Sequence, residues 1–223
     1  MQRFRNAGIY LVTSASLSCG RTTPQIVKTA LDAGVRLVQL REKDMPVAAF
    51  LDLAHELREM TDRRGAILIV NDRLDVALAC KADGVHLGQE DFPVDAARLL
   101  APELIIGASS HNIEEAVAAQ KAGASYVNIG PLFATQTKEW TADFLGIEGL
   151  DRIRHHVSIP FTVMGGIKTA HIPDLVTHGA GTIAVVTAIT AALDPGQAAG
   201  ELLKVYREAL RREQEAGGRR QWT

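Results

Sequence analysis

The chain has 223 residues, 47% apolar and 22% charged, with 19 glycines and 8 prolines. Those proportions exclude a disordered or collagen-like chain, and the length suits one α/β barrel. The 24 basic and 26 acidic residues leave a net charge of −2, too balanced for nucleic acid, and no apolar run reaches the ~18 residues of a membrane span.

The first expected strand is Ile9–Val12. Arg3 and Arg5 precede it, but the run is shorter than the ~7–15 residues of a secretory h-region, so no export signal is predicted. Thr23-Pro24 reads as an N-cap followed by proline at the first helical position. The second strand is Val35–Leu40, and Pro46–Arg63 carries Phe50, Leu53, Leu57 and Met60 at helical spacing. Strands at Ala66–Val70, Gly84–Leu87 and Ile105–Ala108 alternate with helices at Asp72–Cys80, Pro93–Leu100 and Ile113–Ala122. Tyr126–Ile129, Phe161–Val163 and Thr182–Val186 complete the strands; Ile147–His156, Ala170–His178 and Pro195–Leu210 complete the helices.

Strict alternation of near-continuous apolar strands with helices predicts α/β architecture, a (β/α)8 TIM barrel spanning residues 1–210 as a single domain. No G-x-G-x-x-G follows a strand, which weakens a dinucleotide fold. Gly34, Gly84, Gly123 and Gly179 recur where a helix gives way to a strand, and are expected at left-handed helix ends. Arg211–Thr223, charged and then glycine-rich, is expected to be a flexible tail. Cys19 and Cys80 read as reduced thiols of a cytoplasmic protein.

In such a barrel chemistry sits at the carboxyl ends of the strands. Gln39, Arg41, Glu42 and Lys43 follow the second strand, Asn71 and Asp72 the third, and His86 and Asp91 the fourth. Ser109 and Ser110 follow the fifth, and Thr135, Gln136, Thr137 and Lys138 lie beyond the sixth. The opposite loops hold capping glycines and solvated charges. Two carboxylates on neighbouring loops repel unless they share a cation, and Mg²⁺ takes one or two carboxylates plus phosphate and water. With Arg41, Lys43 and Lys138 this composition suits a diphosphate. Val163-Met164-Gly165-Gly166 and Val186-Thr187 follow the last two strands, the recurring phosphate position of these barrels.

Each residue also has a plainer role. Asp72 can cap the following helix, Ser109 and Ser110 can do the same for the next, and Gly165-Gly166 can be a simple turn. His86 taken alone is a hydrogen-bonded core histidine. HExxH, CxxC and G-x-S-x-G are absent, so zinc and serine-hydrolase sites have no support.

Val38-Gln39-Leu40-Arg41-Glu42-Lys43, Val70-Asn71-Asp72-Arg73 and Gly84-Val85-His86-Leu87-Gly88-Gln89-Glu90-Asp91 together resemble the thiamine-phosphate synthase family. So do Gly107-Ala108-Ser109, Gly130-Pro131-Leu132-Phe133, Thr135-Gln136-Thr137-Lys138 and Gly165-Gly166-Ile167, in register from about Gly8 to Leu210. The resemblance implies an enzyme that joins a hydroxymethylpyrimidine diphosphate to a thiazole phosphate. It implies that Gln39, Leu40, Arg41, Glu42, Lys43, Asn71 and Lys138 hold the pyrimidine diphosphate and that Asp72 and Asp91 bind one Mg²⁺. Ser109 would contact the pyrimidine; Thr135, Gln136 and Thr137 would face the thiazole; Gly166, Val186 and Thr187 would hold its phosphate. Arg41, Lys43, Lys138 and Ser109 are the expected catalytic groups, with no nucleic-acid or membrane partner and a homo-oligomer left open. The sequence departs from the family pattern at Ala134, usually Pro, at Thr187, usually Ser, and at Ser14, often Asp. The rival readings are a thiazole tautomerase of the same fold, a lysine Schiff-base aldolase and a non-catalytic precursor-binding protein. Asp91, Lys43 and the Thr-x-Thr-Lys segment argue for the synthase.

Overall fold

The computed structural model describes residues 1–5, 7–135 and 143–217. Eight strands, β1 (Gly8–Val12), β2 (Leu37–Leu40), β3 (Ile67–Asn71), β4 (Gly84–Leu87), β5 (Ile105–Ser110), β6 (Tyr126–Ile129), β7 (Phe161–Val163) and β8 (Thr182–Val185), close in sequence order into one barrel. Every pairing is parallel, and β8 returns to β1 with Gly8 opposite Thr182 and Leu11 opposite Val185. The expected TIM barrel is therefore present, with each anticipated strand in place.

The helices are α1 (Gln2–Arg5), α2 (Thr23–Ala33), α3 (Val47–Arg63), α4 (Leu74–Ala79), α5 (Val94–Leu100), α6 (Ile113–Lys121), α7 (Gly146–Arg154), α8 (Ile172–Thr177), α9 (Thr187–Thr190) and α10 (Pro195–Glu215). Helix α2 starts one residue earlier than expected, so Thr23 is its first residue and Pro24 its second: Thr22 accepts from the Gln25 amide and the Gln25 side chain accepts from the Thr22 amide, a capping box. Four-residue α1 and α9 are too short to show a helical period, and the sequence pattern does not announce them. Helix α10 continues through Glu215, so the first residues assigned by composition to a tail are helical.

The four recurrent glycines divide. Gly34, Gly123 and Gly179 are left-handed, as expected at helix ends. Gly84 instead lies within β4, and the left-handed turn after α4 falls on Lys81, with φ of 54°. What Gly84 supplies is space, because a Cβ there would lie 2.3 Å from the Ile105 carbonyl oxygen.

Alternation along the strands sorts side chains into two shells. Val38, Leu40, Leu68, Val70, Val85 and Val127 face outward into the layer shared with the helices. Tyr10, Val12, Leu37, Ile67, Ile69, Tyr126 and Ala184 fill the barrel, and Phe4 of α1 closes its amino end, its ring centred 4.4 Å from that of Tyr126. The interior changes character along the axis. It is apolar at Phe4, Leu37 and Ile67, and turns polar at Gln39, Asn71, His86 and Asn128 toward the carboxyl ends.

Candidate functional site

That polar end opens into a cavity of about 440 Å³, within the ~300–1,000 Å³ of small-molecule sites. Strand parity decides what β2 contributes. Gln39 and Arg41 point inward and line the cavity with Lys43. Leu40 and Glu42, expected at the substrate, have the opposite parity and their side chains are turned away. Leu40 is fully buried in the strand–helix layer. Glu42 accepts from the Thr23 hydroxyl at 2.7 Å and from the Ala15 amide at 2.8 Å, tying β2 to the β1–α2 connection.

Asn71 and Asp72 enter from β3. Asp72 has φ of 61°, a left-handed conformation that Asp tolerates better than most residues, and its amide donates to the His86 carbonyl at 2.8 Å. Helix α4 therefore begins at Leu74 and has no side-chain cap, so the capping role considered for Asp72 is not the one it has. From the loop after β4, Asp91 accepts from the Gly88 amide at 2.6 Å, which holds its carboxylate toward the cavity. Asp72 and Asp91 lie within hydrogen-bonding reach. Burial first, then this neighbour, pushes the Asp72 carboxyl up to about 6, while Lys43 and Arg41 pull it back.

Ser109 enters from β5, and its Oγ lies 3.0 Å from His86 Nε2. The α6 cap is Asn112, whose side chain accepts from the Glu115 amide, so neither serine is a cap. Ser110 Oγ instead donates to the Asn128 carbonyl at 3.1 Å. Burial lowers His86 to about 4, against an opposing pull from Asp91, and the imidazole is neutral at pH 7.

Thr135 lies on the cavity wall; Gln136, Thr137 and Lys138 lie outside the described residues. Gly165 and Gly166 follow β7 with φ of 104° and 61°. Their missing side chains admit a close approach: a Cβ on Gly165 would lie 2.5 Å from Pro131 Cα, and one on Gly166 would lie 2.2 Å from the Ala134 carbonyl oxygen. Val186 and Thr187, at the start of α9, face the same cavity.

The structure thus brings Gln39, Arg41, Lys43, Asn71, Asp72, Asp91, Ser109, Thr135, Gly166, Val186 and Thr187 to one cavity. Sequence reasoning missed Asn128, which shares inward parity with Tyr126 on β6, and the bonded pair Tyr10 and Tyr126 below it. Among the described residues no three His, Cys, Asp or Glu gather as a larger metal cluster. No described helix is long and apolar enough to cross a membrane.

A closed parallel barrel with its polar cavity at the strand carboxyl ends is the framework of a TIM-barrel enzyme. The family described as "Thiamine monophosphate synthase" matches residues 9–189, and the chain belongs to this family of thiamine-biosynthetic transferases. It is 47% identical over 194 residues to the thiamine-phosphate synthase of Chloroflexus aurantiacus, covering 87% of this chain and 90% of that one. It is 42% identical over 202 residues to the thiamine-phosphate synthase of Moorella thermoacetica, covering 90% and 96%. The solved thiamine phosphate pyrophosphorylase of Pyrococcus furiosus superposes with a TM-score of 0.85 at 38% identity, covering 92% of this chain and 98% of that one.

Proposed function

We propose that the chain joins a hydroxymethylpyrimidine diphosphate to a thiazole phosphate, giving thiamine phosphate and diphosphate. The observation that carries this reading is that two unlike sets of groups suited to anions line one cavity. Asp72, Asp91, Arg41 and Lys43 stand on one side, and the Gly165-Gly166 turn with Val186 and Thr187 on the other.

Asp72 and Asp91 are the residues that would hold one Mg²⁺. Burial and then the neighbouring Asp91 raise the Asp72 pKa, a cost that a divalent cation between them relieves, and two carboxylates leave coordination positions for phosphate oxygens and water. When bound, the ion supplies positive charge to the diphosphate leaving group.

In the reaction the bond from the pyrimidine methylene to the diphosphate oxygen breaks, and its electron pair leaves with the diphosphate. The thiazole nitrogen lone pair then forms the new C–N bond to the methylene carbon. Arg41 and Lys43 stabilise the charge that develops on the leaving group, and Lys138, outside the described residues, is assigned to the same task. Gln39 and Ser109 orient the pyrimidine, and Thr135, Gln136 and Thr137 attend the thiazole. Val12, Met164, Ile167 and Ala184 give the cavity apolar wall that keeps water from an electron-poor methylene. No protein nucleophile is required. Two unpaired thiols, Cys19 and Cys80, support a cytoplasmic location.

The test mixes pure protein with both substrates and reads thiamine phosphate by mass. Product that requires Mg²⁺ and is lost in Asp91→Ala supports the reading. Absence of product while thiazole phosphate still binds overturns it.

A further inference from the structure

We propose that Tyr126 is a positioning residue that fixes which hydrogen-bonding pattern the cavity reads, acting through its neighbours and not by touching the substrate. The proposal rests on the coupling reading above and concerns how its pyrimidine half is recognised.

Five side chains form one unbroken chain across the barrel. Gln39 Nε2 donates to the Tyr10 hydroxyl at 2.7 Å, and the Tyr10 and Tyr126 hydroxyls lie 3.1 Å apart. The Tyr126 hydroxyl lies 2.9 Å from His86 Nδ1, and His86 Nε2 lies 3.0 Å from Ser109 Oγ. Tyr10, Tyr126 and His86 are buried. The fold makes room for the central ring: a Cβ on Gly107 would lie 2.1 Å from Tyr126 Cζ, and Phe4 packs beneath.

A buried hydroxyl has one proton and must place it. Tyr10 already accepts from Gln39, so its proton goes to Tyr126. Tyr126 then has only His86 Nδ1 as acceptor. Because Nδ1 accepts that proton, the imidazole carries its own on Nε2 and donates it to Ser109. The Ser109 proton is left for the cavity. Reversing one link alone leaves a buried group unpaired. Reversing all of them requires turning the Gln39 amide over, which would replace the Nε2–H donation to Tyr10 by an accepting Oε1.

The chain therefore has a direction. At one end Gln39 Oε1 offers an acceptor, and at the other Ser109 Oγ–H offers a donor. An aminopyrimidine presents the complement, an NH2 donor beside a ring-nitrogen acceptor. The 4-oxo analogue presents the reverse, a carbonyl acceptor beside a ring N–H. The site should prefer the amino form by ~10³-fold or more, since a mismatched substrate leaves the enzyme's polar groups unpaired.

The experiment compares kcat/KM for 4-amino and 4-oxo pyrimidine diphosphates in the wild type, Tyr126→Phe and Tyr10→Phe. Tyr126→Phe frees both ends of the chain, and the amino-to-oxo preference should fall ~10-fold or more. A purely structural role would lower both rates together, and an unchanged ratio overturns the proposal. Nitrogen NMR of the wild type supplies a readout independent of the variants: a proton on His86 Nε2 is expected, and a proton on Nδ1 overturns the proposal even if Tyr126→Phe does not fold. If the wild type couples neither pyrimidine, the coupling reading falls. The tautomer and the calorimetric Kd ratio of the two pyrimidines then decide the polarity separately.

Discussion

The two sides of the cavity are built from different materials. The β2–β5 side presents Arg41, Lys43, Asp72 and Asp91, charged groups on long or strained supports. The β7–β8 side presents Gly165, Gly166, Val186 and Thr187, backbone and small side chains. The difference follows from what each anion does in the proposed reaction. Diphosphate gains charge as its bond breaks, so its side must stabilise the transition state more than the ground state. The thiazole phosphate keeps its charge throughout, so its side needs only to hold it. Damage on the first side should appear in kcat and damage on the second in KM.

The largest effect is expected at Asp91. Asp91→Ala removes one of two carboxylates and the acceptor for the Gly88 amide. It should lower kcat by ~10³-fold, about 4 kcal/mol, with a smaller change in the KM for thiazole phosphate. Arg41→Ala should cost ~10²–10³-fold in kcat. Its amide is anchored to Thr13 Oγ1 at 2.9 Å, so the loop backbone keeps its place and the loss reports the guanidinium. Steady-state kinetics with each substrate varied in turn checks both. A defect confined to KM in either variant would break the division of labour.

The opposite pattern should follow Gly166→Ala. The new methyl would meet the Ala134 carbonyl oxygen at 2.2 Å, at a φ of 61° that suits glycine. Backbone strain of ~1–3 kcal/mol should lower stability. The KM for thiazole phosphate should rise ~10-fold, about 1.4 kcal/mol, with kcat nearly kept. Urea denaturation and the same kinetics check this, and a kcat loss as deep as that of Arg41→Ala would erase the contrast.

The same contrast governs what could be read from the sequence. Charges placed directly after buried strands stand out, so Arg41, Lys43, Asp72 and Asp91 were legible. The glycines and the β8 end were legible only as barrel grammar, since a Gly pair serves any tight turn. Leu40 and Glu42 entered with the motif, although strict alternation from Gln39 places both on the outer face. Tyr126 opens an apolar strand and reads as core, which it also is; only the closed barrel brings its hydroxyl to Tyr10 and His86. The extension of α10 to Glu215 was missed because the segment after Leu210 lacks an apolar face, although Arg, Glu and Gln are good helix formers.

The smallest effect concerns stability, and it sets two neighbouring cavity groups against each other in metal-free protein. Burial depresses His86 from 6.5 to about 4. Between those values the unfolded chain binds the proton more readily, so this contribution is present above pH 6.5 and lost as pH falls toward 4. Asp72 is raised from 3.8 to about 6, so the folded state keeps its proton longer. Its contribution is present below pH 3.8 and lost as pH rises through 6. The slopes oppose across the shared window. The histidine contributes more, roughly 3 kcal/mol, because it is fully buried, whereas solvent screens the partly exposed Asp72. Asp72→Asn should therefore steepen the loss of stability on acidification from pH 6.5 to 4, and His86→Asn should reverse its sign. Urea midpoints measured with a chelator across that range test both, and an Asp72→Asn profile parallel to the wild type would show that the carboxylate pair carries no such strain.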